Sequence, residues 1–214
     1  NGTCITNKGS HGQGGKKAVN HGGNPGQYFN QRFGGGAKFF TGIFITLLLF
    51  GCSQLQADRL AELEGQMNTF AEEKEIVDTV NRLFVGTDNL DWNTVKACFS
   101  DEVLLDMTSM VGGEPSKLTS QQIVDAWDQG LKGLKAIHHQ AGNYDVTLNG
   151  TEAAVFCYGM ATHYLKNPSG QNSRLFVGSY NFRLNKIGGD WKIHYFKYNL
   201  KYIEGNQELH KYVK

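Results

Sequence analysis

The chain has 214 residues, a formal net charge of +1 and 40% hydrophobic residues, enough to build one or two compact domains. Such a balanced charge provides no basic field for nucleic acid, so that class of partner is not expected. Two cysteines in the body of the chain, Cys98 and Cys157, without CxxC or His-rich spacing, make neither a disulfide framework nor a zinc site.

The composition is uneven. Eleven of the 27 glycines fall within residues 1–37, mixed with Asn, Gln, Lys and His. Too little apolar surface is available there to offset chain entropy, so the segment is predicted to be disordered, or to be absent from the mature protein. Lys38 then precedes an apolar run from Phe39 to Phe50. It is shorter than the ~20 residues of a membrane-crossing helix and suits the apolar region of an export signal. The ending Leu49-Phe50-Gly51-Cys52 resembles a bacterial lipobox, which implies cleavage before Cys52 and lipidation of its thiol. Residues 38–52 are therefore expected to be a lipoprotein-type signal, giving an extracytoplasmic protein held at a membrane by its lipid alone. Residues 53–71 are polar and helix-prone, a tether or helical approach to a domain at 72–205. Residues 206–214 are left as a tail.

Within the domain, Ile76, Val80, Leu83 and Phe84 recur at helical spacing, and the helix is expected to stop near Gly86. TDNLDW then forms a turn, with Asp91 capping a short helix that buries Trp92, Val95 and Phe99. Val103 to Met107 reads as a short strand. Thr119 and Gln122 form a capping box for a helix carrying Ile123, Trp127, Leu131 and Leu134 on one side.

Two alternating runs follow, joined at Asn149-Gly150, a strong hairpin signal because both turn residues tolerate positive φ. On the second run Val155, Cys157, Gly159, Ala161 and His163 share one face. Phe156, Tyr158, Met160, Thr162 and Tyr164 form the other, predicted to be the packed one, with a hollow above the small face. His138 and His139 point to opposite faces, so one of them can reach the hollow, and His139 is preferred. A bulge at Gly142 would bear on which. Two more long strands, LFVGSYNFRL and WKIHYFKYNLKYI, end the domain. Helices first and antiparallel strands after make an α+β fold, a curved sheet wrapped around three helices as a cone with an internal pocket.

In this order, TDNLDW, VLLDMTS, HHQAGN, ATHYL, GSYN and GGDWKI resemble the SnoaL-like, nuclear transport factor 2-like cone domains, and within them the scytalone dehydratase-like branch. The resemblance covers about residues 72–205. It implies an Asp88–His163 pair, a second histidine at His139, and Ser179 and Asn181 as further pocket residues. Where the dehydratase carries two tyrosines, this chain has Thr87 and Met107.

An aspartate beside a histidine in an apolar pocket raises the imidazole pKa and fixes its tautomer, and a second imidazole supplies an acid. That suits abstraction of a proton α to a carbonyl in a small apolar or carbonyl-containing molecule, without metal or cofactor. The chain is accordingly read as a dehydratase-like lyase or an isomerase. The alternative is a non-catalytic module that binds an apolar ligand or associates as a homodimer or homotrimer. Asp88 by itself is ordinary turn chemistry. Asp106 either enters the pocket or pairs with a surface cation, and Tyr158, Tyr180 and Trp127 are assigned to the core.

The lipobox reading has a direct consequence. A Cys52→Ser change is expected to move the protein from the membrane fraction to a soluble or unprocessed form, as followed by fractionation and metabolic lipid labelling. Identical soluble fractionation of both proteins would refute it.

Overall fold

The structure, a computed structural model, describes residues 37–213, with side chains from residue 53 onward. The chain divides into two units, residues 1–54 and 55–214. The arm expected at residues 1–37 and the lipidated side chain expected at Cys52 lie outside the described residues, save for the helical backbone from Ala37. Among the described residues, no helix is long and apolar enough to cross a membrane.

One helix, α1, spans Ala37–Asp88, so of the tether or helical approach expected at 53–71 the helix is what forms, and the expected stop at Gly86 comes two residues late. From residue 53 onward, only its last four turns are buried. Ile76, Val80 and Leu83 are fully enclosed, whereas Leu60, Leu63, Met67 and Phe70 are exposed. Glu72 marks the entry to the packed region: its carboxylate accepts from the Trp191 indole at 2.8 Å and pairs with Lys186.

Helix α2 (Trp92–Cys98) starts where Asp91 accepts from the Thr94 amide, as its sequence predicts. Strand β1 (Phe99–Asp106) leads through the single turn α3 (Thr108–Val111) to β2 (Ser116–Thr119), a short edge strand that no sequence pattern announced. Helix α4 (Ser120–Leu131) carries the full Thr119–Gln122 capping box, each side chain satisfying the other's amide, an arrangement worth about 1 kcal/mol. Strands β3 (Ala136–Asn149), β4 (Glu152–Tyr164), β5 (Ser173–Ile187) and β6 (Asp190–Gly205) follow.

The six strands form one mixed sheet in the order β2-β1-β6-β5-β4-β3, with β1 parallel to β6 and every other pair antiparallel. Register shifts in β3 between Gly142 and Asp145, and at two points in the β5–β6 pairing, each place an extra residue that bends a strand. The bulge in β3 carries Asn143 at φ 56°. The β3–β4 turn is Gly150-Thr151 rather than Asn149-Gly150: Asn149 pairs with Glu152, and only Gly150, at φ 60°, is left-handed. The residues after Gly205 are not a loose tail. Leu209 is fully buried in a short 3-10 turn (Leu209–Tyr212), and Asn206 ties back to the Gln171 carbonyl.

The two faces of β4 meet the expectation in part: the cavity does open on the small face, at Ala161 and His163, but the bulky face is not the packed one. The small face of Val155, Cys157 and Ala161 is the core face, and the bulky face leaves Tyr158, Met160 and Tyr164 exposed. Small residues are needed inside because β5 sends in large ones. Phe176, Tyr180 and Phe182 alternate inward and interlock with Phe84, Phe196 and Tyr198. Gly159 lies beneath the Tyr180 ring, and a Cβ built there would come within 2.2 Å of its Cε2. Cys98 and Cys157 are both buried free thiols. A Gly159→Ala change is therefore expected to destabilise the domain by about 1–3 kcal/mol through overpacking, measured by urea unfolding. Unchanged stability would show that Tyr180 has room to move.

Candidate functional site

The last turns of α1 present Phe84, Thr87 and Asp88 toward the sheet. Phe84 and Asp88 are four residues apart and so lie on one helix face. Both engage the same partner, His139 of β3. The Phe84 ring stacks on the imidazole at 5.2 Å between centroids, with 18° between planes. The Asp88 carboxylate accepts from His139 Nδ1 at 2.6 Å and from the His139 backbone N–H at 3.0 and 2.9 Å. Because β3 is the last strand of the sheet, this N–H faces away from β4 and has no strand to pair with. Asp88 thus ends a helix, satisfies a sheet edge and fixes a ring at once. With Nδ1 donating to the carboxylate, Nε2 is the nitrogen left with a lone pair.

This pairing corrects the expected Asp88–His163 contact. It is His139 that Asp88 holds, while His163, near the end of β4, lies directly opposite Arg174 of β5. Arg174 Nη2 lies 3.4 Å from His163 Nδ1. A guanidinium can only donate, so Nδ1 of His163 is the acceptor and its proton resides on Nε2. The expected rise in the His163 pKa does not occur. Burial first, and then the Arg174 charge, push it down to about 3, against a smaller upward pull from Asp88. His163 is a neutral hydrogen-bond donor at physiological pH.

Both histidines line one cavity of about 280 Å³. Thr87 and Met107 line it too, at the places where the resemblance sets tyrosines. The Thr87 hydroxyl is turned back onto its own helix, donating to the Leu83 carbonyl at 2.8 Å. Much of the remaining wall is aromatic: Phe84, Trp127, Phe176, Tyr180, Phe196 and Tyr198. Trp127 and Tyr180, assigned to the core from sequence, are walls of the cavity, while Tyr158 is exposed.

Ser179 and Asn181 do not join them. Tyr180 takes the inward position, so its neighbours along the strand point to the opposite face of the sheet. There Asn181 accepts from Asn199 at 2.8 Å. His138 does not line the cavity: its side chain is 74% exposed, although its Nδ1 comes within 3.7 Å of an Asp88 oxygen from outside. Asp106 stays out of the cavity and pairs with Lys197 at 3.0 Å. Arg174 is the residue that sequence reasoning missed. The signal was present, since Arg174, Phe176, Gly178, Tyr180 and Phe182 recur with the period of two that marks the inward face of β5. Among the described residues, no group of three or more His, Cys, Asp or Glu side chains is placed to hold a metal ion.

The SnoaL-like domain family matches residues 68–197, more than half of the chain. The chain belongs to that family. Solved structures agree on its fold. The Kfla4162 protein from Kribbella flavida is 20% identical, with a TM-score of 0.64, over 67% of this chain and 99% of that one. A protein of Novosphingobium aromaticivorans DSM 12444 assigned as a scytalone dehydratase is 15% identical, with a TM-score of 0.55, over 65% of this chain and 90% of that one. The hexachlorocyclohexane dehydrochlorinase LinA-type3 from Novosphingobium barchaimii LL02 is 12% identical, with a TM-score of 0.54, over 66% of this chain and 94% of that one. No curated protein matches the sequence. The SnoaL-like domain of this chain therefore has the nuclear transport factor 2-like cone fold.

The depressed pKa of His163 gives the SnoaL-like domain a pH dependence of known sign. Unfolded, this histidine takes up a proton below about pH 6.5, whereas folded it does so only near 3. Its contribution to stability is complete above about 6.5 and is lost as pH falls toward 3. Urea midpoints measured from pH 7 to pH 4 should fall less steeply for His163→Gln than for the native domain. Parallel slopes would mean that His163 titrates normally in the fold.

Proposed function

We propose that the domain is a cofactor-free lyase acting on small, largely apolar molecules, with His139 as the base. The observation that carries this reading is the Asp88 carboxylate, which grips both Nδ1 and the backbone N–H of His139 at the rim of an apolar cavity. The grip leaves Nε2 free to take a proton, and Asp88 stabilises the imidazolium that forms. The C–H electron pair becomes the new double bond as the bond to a β-leaving group breaks, and that group departs with its own pair. A departing hydroxide takes the proton back from His139 and leaves as water. If the proton returns to another carbon, the same residues perform an isomerisation. His163 presents its Nε2–H as a donor to a substrate oxygen, in place of the tyrosine hydroxyls that Thr87 and Met107 lack. The dehydratase and dehydrochlorinase named among the similar folds support an elimination, with hydroxide or chloride leaving.

The test is a panel of small β-hydroxy and β-chloro ketones followed by the rise of conjugated-enone absorbance. Turnover should fall by about 10²–10⁴-fold in His139→Gln and in Asp88→Asn. The ¹⁵N shifts of His139 should report an Nδ1–H tautomer in the native protein and its loss in Asp88→Asn. Full activity in either variant would overturn the role of the pair. Binding of the panel without turnover or solvent deuterium uptake would overturn the lyase and leave a ligand-binding module.

A further inference from the structure

The cavity contains a cation for which the described residues supply no counter-ion. Arg174 lies on the inward face of β5, with its guanidinium over the Phe176 ring at 4.7 Å. Its polar contacts are all to neutral groups: His163 Nδ1 at 3.4 Å and the Gln207 carbonyl at 3.4 Å. Its Nε is buried without an acceptor. Among the described residues, no carboxylate lies within ion-pair distance of it, although the other ion pairs of the domain are well formed. A charge part-buried against Phe176 on the wall of a largely aromatic cavity is costly unless something of opposite sign meets it. Burial lowers the Arg174 pKa, but a guanidinium does not give up its proton within the physiological range.

We propose that the missing counter-ion is the substrate, and that Arg174 makes this cavity selective for a small apolar molecule bearing a carboxylate. The inference rests on reading the cavity as a substrate site and adds the chemical class of what enters it. A planar guanidinium matches a carboxylate in shape as well as charge, forming paired short hydrogen bonds that an amide or ketone cannot reproduce. His163 contributes by orientation. Its Nδ1 accepts from Nη2 and holds the guanidinium on the cavity wall, and its Nε2–H is a second donor for the same ligand. Phe176 stacks against the cation from the side and keeps it from turning toward solvent. The aromatic walls take up the hydrocarbon part of the ligand. With the anion at Arg174 and the base at His139, the carbon that loses its proton lies between them, close to the carboxylate. The favoured substrates are thus aromatic or alicyclic acids, with a β-leaving group where elimination follows.

Equilibrium binding tests this independently of turnover. The probes are trans-cinnamate and its neutral isostere cinnamamide, titrated calorimetrically into the full chain. The native protein should bind cinnamate at least about tenfold more tightly than cinnamamide, the scale of hydrogen bonds to a charged group. In Arg174→Gln the affinity for cinnamate should fall to that for cinnamamide, and Arg174→Lys should keep part of the preference. Because binding is read without turnover, a native protein that prefers cinnamate but turns over nothing upholds this inference and refutes only the lyase reading. Equal affinities for acid and amide in the native protein, binding of neither, or a parallel loss of both in Arg174→Gln with native unfolding behaviour would each overturn the proposal.

Discussion

The site depends on one carboxylate. Asp88 occupies the last position of a long helix, and its two oxygens receive the edge amide of β3 and the ring of the same residue. Charge-assisted hydrogen bonds of this kind are roughly twice as strong as neutral ones. Removing the carboxylate would leave a part-buried N–H without an acceptor, at a desolvation cost of about 1–3 kcal/mol. Helix end, sheet edge and imidazole therefore move together, and the His139 ring cannot be displaced without parting the helix from the strand. Phe84, one turn earlier, presses on the ring from the side and removes its remaining rotational freedom.

The rest of the cavity follows from the curvature and alternation of the sheet. Bulges in β3 and in the β5–β6 pairing bend the strands around the helices. The large inward side chains of β5 then need small partners on β4, which is why Gly159 lies beneath Tyr180 and Ala161 lies opposite Phe176. The open space lies farther along, between Ala161, His163 and α4. Its two imidazoles have opposite characters. His139 has an anion at Nδ1, and His163 has a cation there. The same side chain thereby faces an anion at one wall and is a neutral donor at the other, an assignment made by neighbours alone.

Much of this was legible in the residues. The Thr119–Gln122 capping box, the Asp91 cap, the helical stripe through Ile76, Val80 and Leu83, and the run of antiparallel strands are all local or periodic signals, and the fold class follows from their order. Asp88, His139, His163, Thr87 and Met107 were singled out by motif and position, and the structure brings them to one cavity wall or its rim. Ser179 and Asn181 were placed inside on the resemblance alone, and a strand pattern shows two faces without saying which is inward. Tyr180, assigned to the core, is buried there and also forms a wall of the cavity. Large and small faces are equally plausible cores until the opposite strand is known. The β3–β4 turn shifted by one residue for a similar reason: Asn149 is satisfied by pairing with Glu152, a matter of register that the dipeptide does not encode.

What the sequence by itself determined is the main helices, the four long strands and their order, because caps, turns and periodicity act over a few positions, while the resemblance pointed to the chemically capable residues. Which imidazole Asp88 would grip was decided only by tertiary structure. His139 lies 51 positions from Asp88 and His163 still farther, and only the β3 edge, with its free amide, brings the nearer one within reach. The role of Arg174 was decided in the same way. As a residue in a strand it is unremarkable. It becomes an uncompensated charge only when β4 sets His163 opposite it and the fold closes an apolar cavity around both. Electrostatic character of this kind is a property of surroundings, and surroundings are assembled by the fold.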